Sequence, residues 1–332
     1  MSAEAEPSAF LERLKFIVNL TDPVFRGIYH GHKKHDDDMH AVLERAQNAG
    51  VKSMIITGTS LSESREAVRL AKEFGFFCTV GCHPIRSREF ETFEGGPVAY
   101  LQELDDLIRE NLEGRGRVVA IGECGLDYDR LQFSSMEAQK QFFRMQVGLA
   151  KKYRLPLFLH SRNAHADFVR ILREQGFGTD GGRDLGGKGG VVHSFTGTKD
   201  EVVELDSMGF HFSVNGCGMK TSENVEALKA IPRDRLMLET DAPWCACTRT
   251  HASKVYLDSL PDDARAVYLP AAVRAERFTA GKAVKGRNEP CAVGAVAWAV
   301  AGALGTSVEE AGGRAWATTV GLFGIEETET EL

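Results

Sequence analysis

No apolar run in this sequence approaches the roughly 18 residues that a membrane-crossing helix needs, so a spanning protein is not expected. The opening stretch MSAEAEPSAFLERLKF has neither the basic start nor the apolar centre of a secretory signal. Cysteine is sparse and odd in number, seven in 332 residues, which does not suit the paired framework of a disulfide-stapled secreted domain. These absences predict an intracellular protein with reduced thiols. No basic cluster stands out to choose between nucleus and cytoplasm. Positive charge is itself in short supply: Lys and Arg number 40 against 47 Asp and Glu, a net charge of -7. Such a surface does not coat a polyanion by its own field, so positive potential toward one must be local or imported with a cation. Also missing are a G-x-G-x-x-G or Walker-type loop and any low-complexity tail beyond the acidic end IEETETEL.

What is present is an alternation. Short apolar runs rich in Val, Ile and Phe occupy 16–20, 51–57, 76–80, 118–121, 155–160, 189–195, 210–214 and 235–240. Helix-like segments lie between them at 36–48, 61–74, 136–153, 164–175, 200–208 and 223–229, with another at 290–304. Phe142, Met145 and Leu149, and likewise Phe168, Ile171 and Leu172, have the spacing of helices packed by one face. Eight strands alternating with helices predict an α/β protein with a parallel sheet, closed into a single (β/α)8 TIM barrel domain. An open doubly wound sheet is the structural alternative. Two segments break the rhythm. Residues 176–190 are Gly-rich and read as a mobile loop; residues 245–287 are long for a βα connection and read as an ordered insertion. The cluster HGHKKHDDDMH (30–40) reads as solvated surface at a helix start, with its aspartates complementing the helix dipole.

The strand ends carry the chemistry. In VVAIGECGLDY (118–128) a buried-looking strand runs into Glu123, where desolvating a carboxylate is costly unless its charge is compensated. His83 follows the third run in TVGCHP, His160 ends the fifth and His193 closes the sixth. Glu239 and Asp241 stand past the eighth in RLMLETDAP. A barrel points the C-terminal ends of all its strands at one face, so these side chains are delivered to one region. Together they form a ligand set for one or two divalent cations. Cys245 and Cys247 have C-x-C spacing without a second pair and are weak ligand candidates.

In order along the chain, GCHP, AIGECGLDYDR, FLHSRNAH, VHSFTGT, ETDAPW and KGRNEP resemble the motifs of the TatD family of metal-dependent deoxyribonucleases, most closely its eukaryotic branch. The resemblance runs from about Phe16 to Phe323. It implies a (β/α)8 barrel that hydrolyses DNA phosphodiester bonds, as a 3′ to 5′ exonuclease using Mg2+ or Mn2+. It implies Glu123 as a carboxylate bridging two cations, His160 and His193 as ligands of one of them, and Asp241 as a ligand that also orients the attacking water. His83 would contact substrate phosphate. Arg162 would assist at the substrate, and Glu239 and Asn19 would support the site from behind. Single-stranded DNA or 3′ ends would be the substrate, with DNA repair or DNA degradation as the setting.

One departure bears on the metal. Many relatives carry an H-x-H pair at the end of the first strand, where this chain has IVNLTD with Asn19 and Thr21. Losing two nitrogen ligands leaves an oxygen-rich set, which favours Mg2+ or Mn2+ over a tightly held Zn2+ pair. Two other functions fit the same residues. One is a metal-dependent hydrolase of another ester or amide, such as an aminoacyl-tRNA deacylase; the other is a barrel that only binds nucleic acid. Tyr128, Phe195 and Trp244 follow motif residues and are candidates for stacking on bases. Oligomeric state has no signature in the sequence.

Overall fold

The computed structural model describes residues 14–325; the first stretch quoted above, up to residue 13, and the acidic residues from 326 onward lie outside them. Eight strands form one parallel sheet in plain sequential order: β1 (Leu14–Val18), β2 (Val51–Ile56), β3 (Phe77–Val80), β4 (Val118–Asp127), β5 (Leu157–Arg162), β6 (Gly190–Val192), β7 (His211–Val214) and β8 (Leu236–Leu238). Each of the eight apolar runs supplies one of them. Past the ends of β8 and β1, the Asn19 amide donates to the Ala242 carbonyl at 2.9 Å. The chain is a (β/α)8 barrel.

The strands curl because their inward side chains must leave water. Ile17, Ile55, Phe77, Val119, Phe158, Val191 and Met237 form one buried interior cluster, joined by Phe323 and Ile325 from the far end of the chain. Burying Phe323 alone contributes on the order of 2 kcal/mol. Arg117, just before β4, donates to the Gly324 carbonyl at 2.8 Å, which places this plug at the N-terminal end of the strands. The opposite end is left for polar side chains.

The helices are α1 (Met39–Asn48), α2 (Leu61–Phe74), α3 (Arg88–Thr92), α4 (Gly96–Arg109), α5 (Met136–Tyr153), α6 (His165–Glu174), α7 (Lys199–Ser207), α8 (Ser222–Ala230), α9 (Lys254–Leu257), α10 (Asp262–Tyr268), α11 (Val293–Leu304) and α12 (Val308–Phe323). Local chemistry fixes many ends. Ser60 caps α2 by accepting from the Glu63 amide, and Ser135 caps α5 by accepting from the Ala138 amide. Two long helices depart from the expected pattern. α4, outside the expected helical segments, starts with Gly-Gly-Pro, where proline in a first helical turn has no partner to lose. Gly312, Gly313 and Gly321 weaken α12 as an isolated helix, but its packing against β8 and β1 overrides propensity.

The Gly-rich segment folds around a short 3-10 turn (Asp180–Leu185), with the Gly181 amide donating to the Met208 carbonyl and the Gly189 amide to the Gly181 carbonyl, both at 2.8 Å. The 245–287 segment holds α9, α10 and a two-stranded parallel pair, Ala272–Val273 with Ala283–Val284. Most of the 30–40 cluster is exposed, as expected, but two of its charged or titratable members depart from that reading. Asp38 and His35 are buried, and Asp38 receives both terminal nitrogens of Arg287 at 2.7 and 2.6 Å. The compensating charge comes from a distant part of the chain, so no local pattern announces it. Among the described residues, no single helix is long and apolar enough to cross a membrane.

Candidate active site

The centre is built where β3 to β6 end. Gly122 and Gly125 make it possible. A Cβ on Gly122 would stand 2.1 Å from the Phe158 carbonyl oxygen, and one on Gly125 would stand 1.9 Å from that of His160. Both glycines also have φ near +140°, which other residues rarely adopt. The close approach of β4 to β5 puts Gly125 beside His160 in register and brings Glu123 under the imidazoles. The Glu123 amide is held by the Gly58 carbonyl at 2.8 Å.

Three imidazoles meet one oxygen. Glu123 Oε1 lies 2.9 Å from His160 Nδ1, 2.7 Å from His193 Nε2 and 3.2 Å from His83 Nε2. Burial opposes the charge on Glu123, but His193, His83 and His160 overcome it and hold the carboxyl well below its usual range. Burial likewise opposes charging of the imidazoles. The facing carboxylates nevertheless push His193 well up and raise His160, while His83 is lowered by burial and by the two other imidazoles.

His83 differs in chemistry as well. Its Nδ1 accepts the Ile85 amide proton at 3.1 Å, so in the neutral ring the proton sits on Nε2 and points at Glu123. That nitrogen is a donor and has no lone pair for a cation. His160 and His193 are the reverse. The nitrogens they turn toward Glu123 face each other at 3.4 Å, and carboxylates stand behind their other nitrogens. Asp127 Oδ2 is 3.3 Å from His160 Nε2, and Glu239 Oε1 is 3.6 Å from His193 Nδ1. Two imidazole nitrogens and one carboxylate oxygen converging on a point, with a carboxylate behind each ring, fit a divalent cation.

Asp241 forms a separate arm. It is half-buried, in the left-handed region at φ 52°. Asn19 Nδ2 donates to its Oδ1 at 2.7 Å and the Cys245 thiol to its Oδ2 at 3.2 Å. Desolvation, with Glu239 and Glu123 adding to it and His193 opposing, pushes its carboxyl up to about 6. Behind both arms, fully buried Glu239 accepts from the Ser194 amide at 2.6 Å, Ser213 Oγ at 2.7 Å and Asn215 Nδ2 at 2.9 Å. Arg162 is not drawn into the cluster. It is exposed and bonds Asp129 at 2.9 Å and Thr196 at 3.0 Å.

Several supporting residues escape the sequence reading. Asp127 sits in a quoted motif four strand positions after Glu123, on the same face, which is the signal that was available. Gln139 and Gln146 are buried in α5, two turns apart. Gln139 holds both the amide and the carbonyl of Asp127 at 2.7 and 2.9 Å; Gln146 holds those of Cys82, beside His83, at 2.7 and 3.0 Å. Asn288 of KGRNEP donates to the carbonyls of Thr240 and Trp244 at 2.9 and 2.7 Å, clamping the loop that carries Asp241. Arg287 beside it anchors that clamp to Asp38 and Glu289.

A parallel barrel with imidazoles and carboxylates gathered at the C-terminal ends of its strands has the layout of a metal-assisted hydrolase. The chain matches the TatD related DNase family over residues 29–324. It is 42% identical to the Deoxyribonuclease Tat-D of Schizosaccharomyces pombe, over 95% of this chain and 97% of that protein. It is 41% identical to the 3'-5' ssDNA/RNA exonuclease TatD of a Rahnella strain, over 62% of this chain and 74% of that one. Among solved structures, an uncharacterized amidohydrolase from Saccharomyces cerevisiae is 34% identical with a TM-score of 0.82, covering 93% of this chain and 99% of that one. A TatD family hydrolase from Entamoeba histolytica gives 32% identity and the same TM-score of 0.82, covering 94% and 98%. The chain belongs to the TatD family.

Proposed function

We propose that this protein is a divalent-cation-dependent deoxyribonuclease that hydrolyses DNA phosphodiester bonds, working from 3′ ends of single strands. The observation that carries the reading is the convergence of His160, His193 and Glu123 on one point at the mouth of the barrel. Family membership and the names of the relatives supply the bond: a deoxyribonuclease in fission yeast and 3'-5' exonucleases in bacteria.

Glu123, His160 and His193 would hold the cation, with Asp127 and Glu239 orienting the two rings. When bound, the cation supplies a lowered water pKa and polarisation of the phosphoryl oxygen. The chain's own groups do the rest. Asp241, with a carboxyl pushed up to about 6, is matched to accept the proton of the attacking water near neutrality. Asn19 and Cys245 fix the direction of its lone pairs. With Glu123 engaged by the cation, the His83 Nε2–H that faces it would turn to a phosphate oxygen, and Arg162 on the exposed rim would meet the strand. The donors are two nitrogens with oxygens, so Mn2+ and Mg2+ are the proposed ions, Mn2+ the better match to imidazole. An imported cation also reconciles a net charge of -7 with a polyanionic substrate.

The test is degradation of a 5′-labelled single-stranded oligonucleotide with Mn2+, Mg2+ or EDTA, beside Glu123→Gln. A metal-dependent ladder shortening from the 3′ end, absent in the variant, is expected. Intact DNA in the presence of folded, cation-loaded protein would sink the reading.

A further inference from the structure

The geometry points to Trp244 as a stacking platform for a nucleobase of the bound strand, at a subsite beside the hydrolytic centre. This rests on the nuclease reading above. Three aromatic residues follow motif positions, and the structure separates them. Phe195 is buried edge-on against Phe212, with centroids 5.1 Å apart. Tyr128 is half-buried and its hydroxyl donates to Asp167 at 2.6 Å. Trp244 is 59% exposed.

An exposed indole is unusual because burial of so large a ring is worth so much. Here the exposed ring stands on an immobilised backbone. The Trp244 amide donates to the Asp241 carbonyl at 2.9 Å, and the Trp244 carbonyl accepts from Asn288 at 2.7 Å. The ring is therefore carried by the same tight turn that carries the proposed proton acceptor, so a base resting on it belongs to a nucleotide next to the bond being cut. Every base has a π-face, so the platform tolerates any sequence, as degradation from an end requires. Phe133 is a rival, 54% exposed on the turn after β4. Its turn is tied in as well, Gln139 Nε2 donating to the Ser134 carbonyl at 3.0 Å and to the Asp127 carbonyl at 2.9 Å, but it follows the strand-borne arm, whereas Trp244 shares one turn with Asp241 itself.

The experiment compares wild type, Trp244→Ala, Trp244→Phe and Phe133→Ala on a twelve-residue oligothymidylate and on the same backbone with abasic 3′-terminal nucleotides. Trp244→Ala should raise KM about tenfold with little change in kcat, a size expected for one stacked base. Trp244→Phe should recover most of it, and on the abasic strand wild type and Trp244→Ala should be alike. Binding of the oligothymidylate to an Asp241→Asn background, which should keep its cation, should quench tryptophan fluorescence, and Trp244→Phe in that background should abolish the quench. An unchanged KM in Trp244→Ala, a KM effect at Phe133 instead, or a quench surviving Trp244→Phe would overturn the platform while leaving the nuclease intact. Quenching without any hydrolysis by wild type would sink the nuclease reading and leave the platform standing.

Discussion

The two arms of the centre are held in opposite ways. Glu123 and its imidazoles stand on or just past strands, with β4 pressed against β5 through glycines and buried glutamines of α5 gripping the backbone on either side. Asp241 stands on a loop at a positive φ, positioned by side chains from residues 19, 245 and 288. The strand-borne arm carries its own charge compensation. The loop-borne arm has two donors on its carboxylate but, among the described residues, no cationic partner bonded to it. The difference suits a division of labour in which one arm binds and the other handles a proton, since a proton acceptor near neutral pH must not be fully compensated.

The comparison breaks first at its strongest point. Glu123→Gln should abolish cation binding by calorimetry and lower the rate by about 10³-fold or more. Asp241→Asn should keep one cation bound and lower the rate by roughly 10² to 10⁴-fold. Equal loss of cation binding in both variants would show that the arms are one unit.

A pH series sharpens it next. His160, His193 and Asp241 all have raised pKa values, so the stability they lend the cation-free protein is full below their unfolded values and is lost as pH rises through the raised ones. A cation must displace the protons of the two imidazoles. The rise in Tm on adding Mn2+, relative to EDTA, should therefore grow between pH 6 and 8. Glu123 is depressed, so its contribution changes only below its usual range, outside that window. His211, which burial pushes down to about 4, lies on β7 and affects both conditions alike. An increment that is flat in pH would exclude the imidazoles as ligands.

Smaller effects test the loop. Asn288→Ala leaves two carbonyls without their donor and should cost about 2 kcal/mol in denaturant unfolding, with kcat falling more than cation affinity. Cys245→Ser keeps a donor near Asp241 and should change the rate less than tenfold. A collapse of activity there would mean the thiol has a role of its own.

The strand-borne arm was the legible one. Glu123, His160 and His193 announce themselves because apolar strand runs end in residues that are expensive to bury, and barrel topology dictates that such ends converge. His83 was legible in place, but its tautomer depends on the Ile85 amide and its Nε2 faces Glu123. Asn19 was marked both as a missing histidine and as a residue supporting the site from behind, and in the structure its side chain bonds Asp241. Gln139 and Gln146 left no trace, and Asn288 was marked only as part of a motif, because their bonds are to backbone groups, which a list of side chains does not display. Asp38 and Arg287 lie too far apart in sequence for their charges to be matched by inspection, and α12 hid behind glycines that only packing explains.

The plug at the barrel floor has a consequence for how the molecule is made. Ile17 and Phe323 belong to one interior cluster, so the earliest strand and the last described helix must meet before the interior is sealed. During synthesis the ribosome delivers all eight strands before it delivers their stopper. Until then the inner faces stand open at one end. A contact between such distant parts of the chain is also a slow one to make. Growth of the chain, rather than the chemistry of the mouth, sets when this enzyme can first exist.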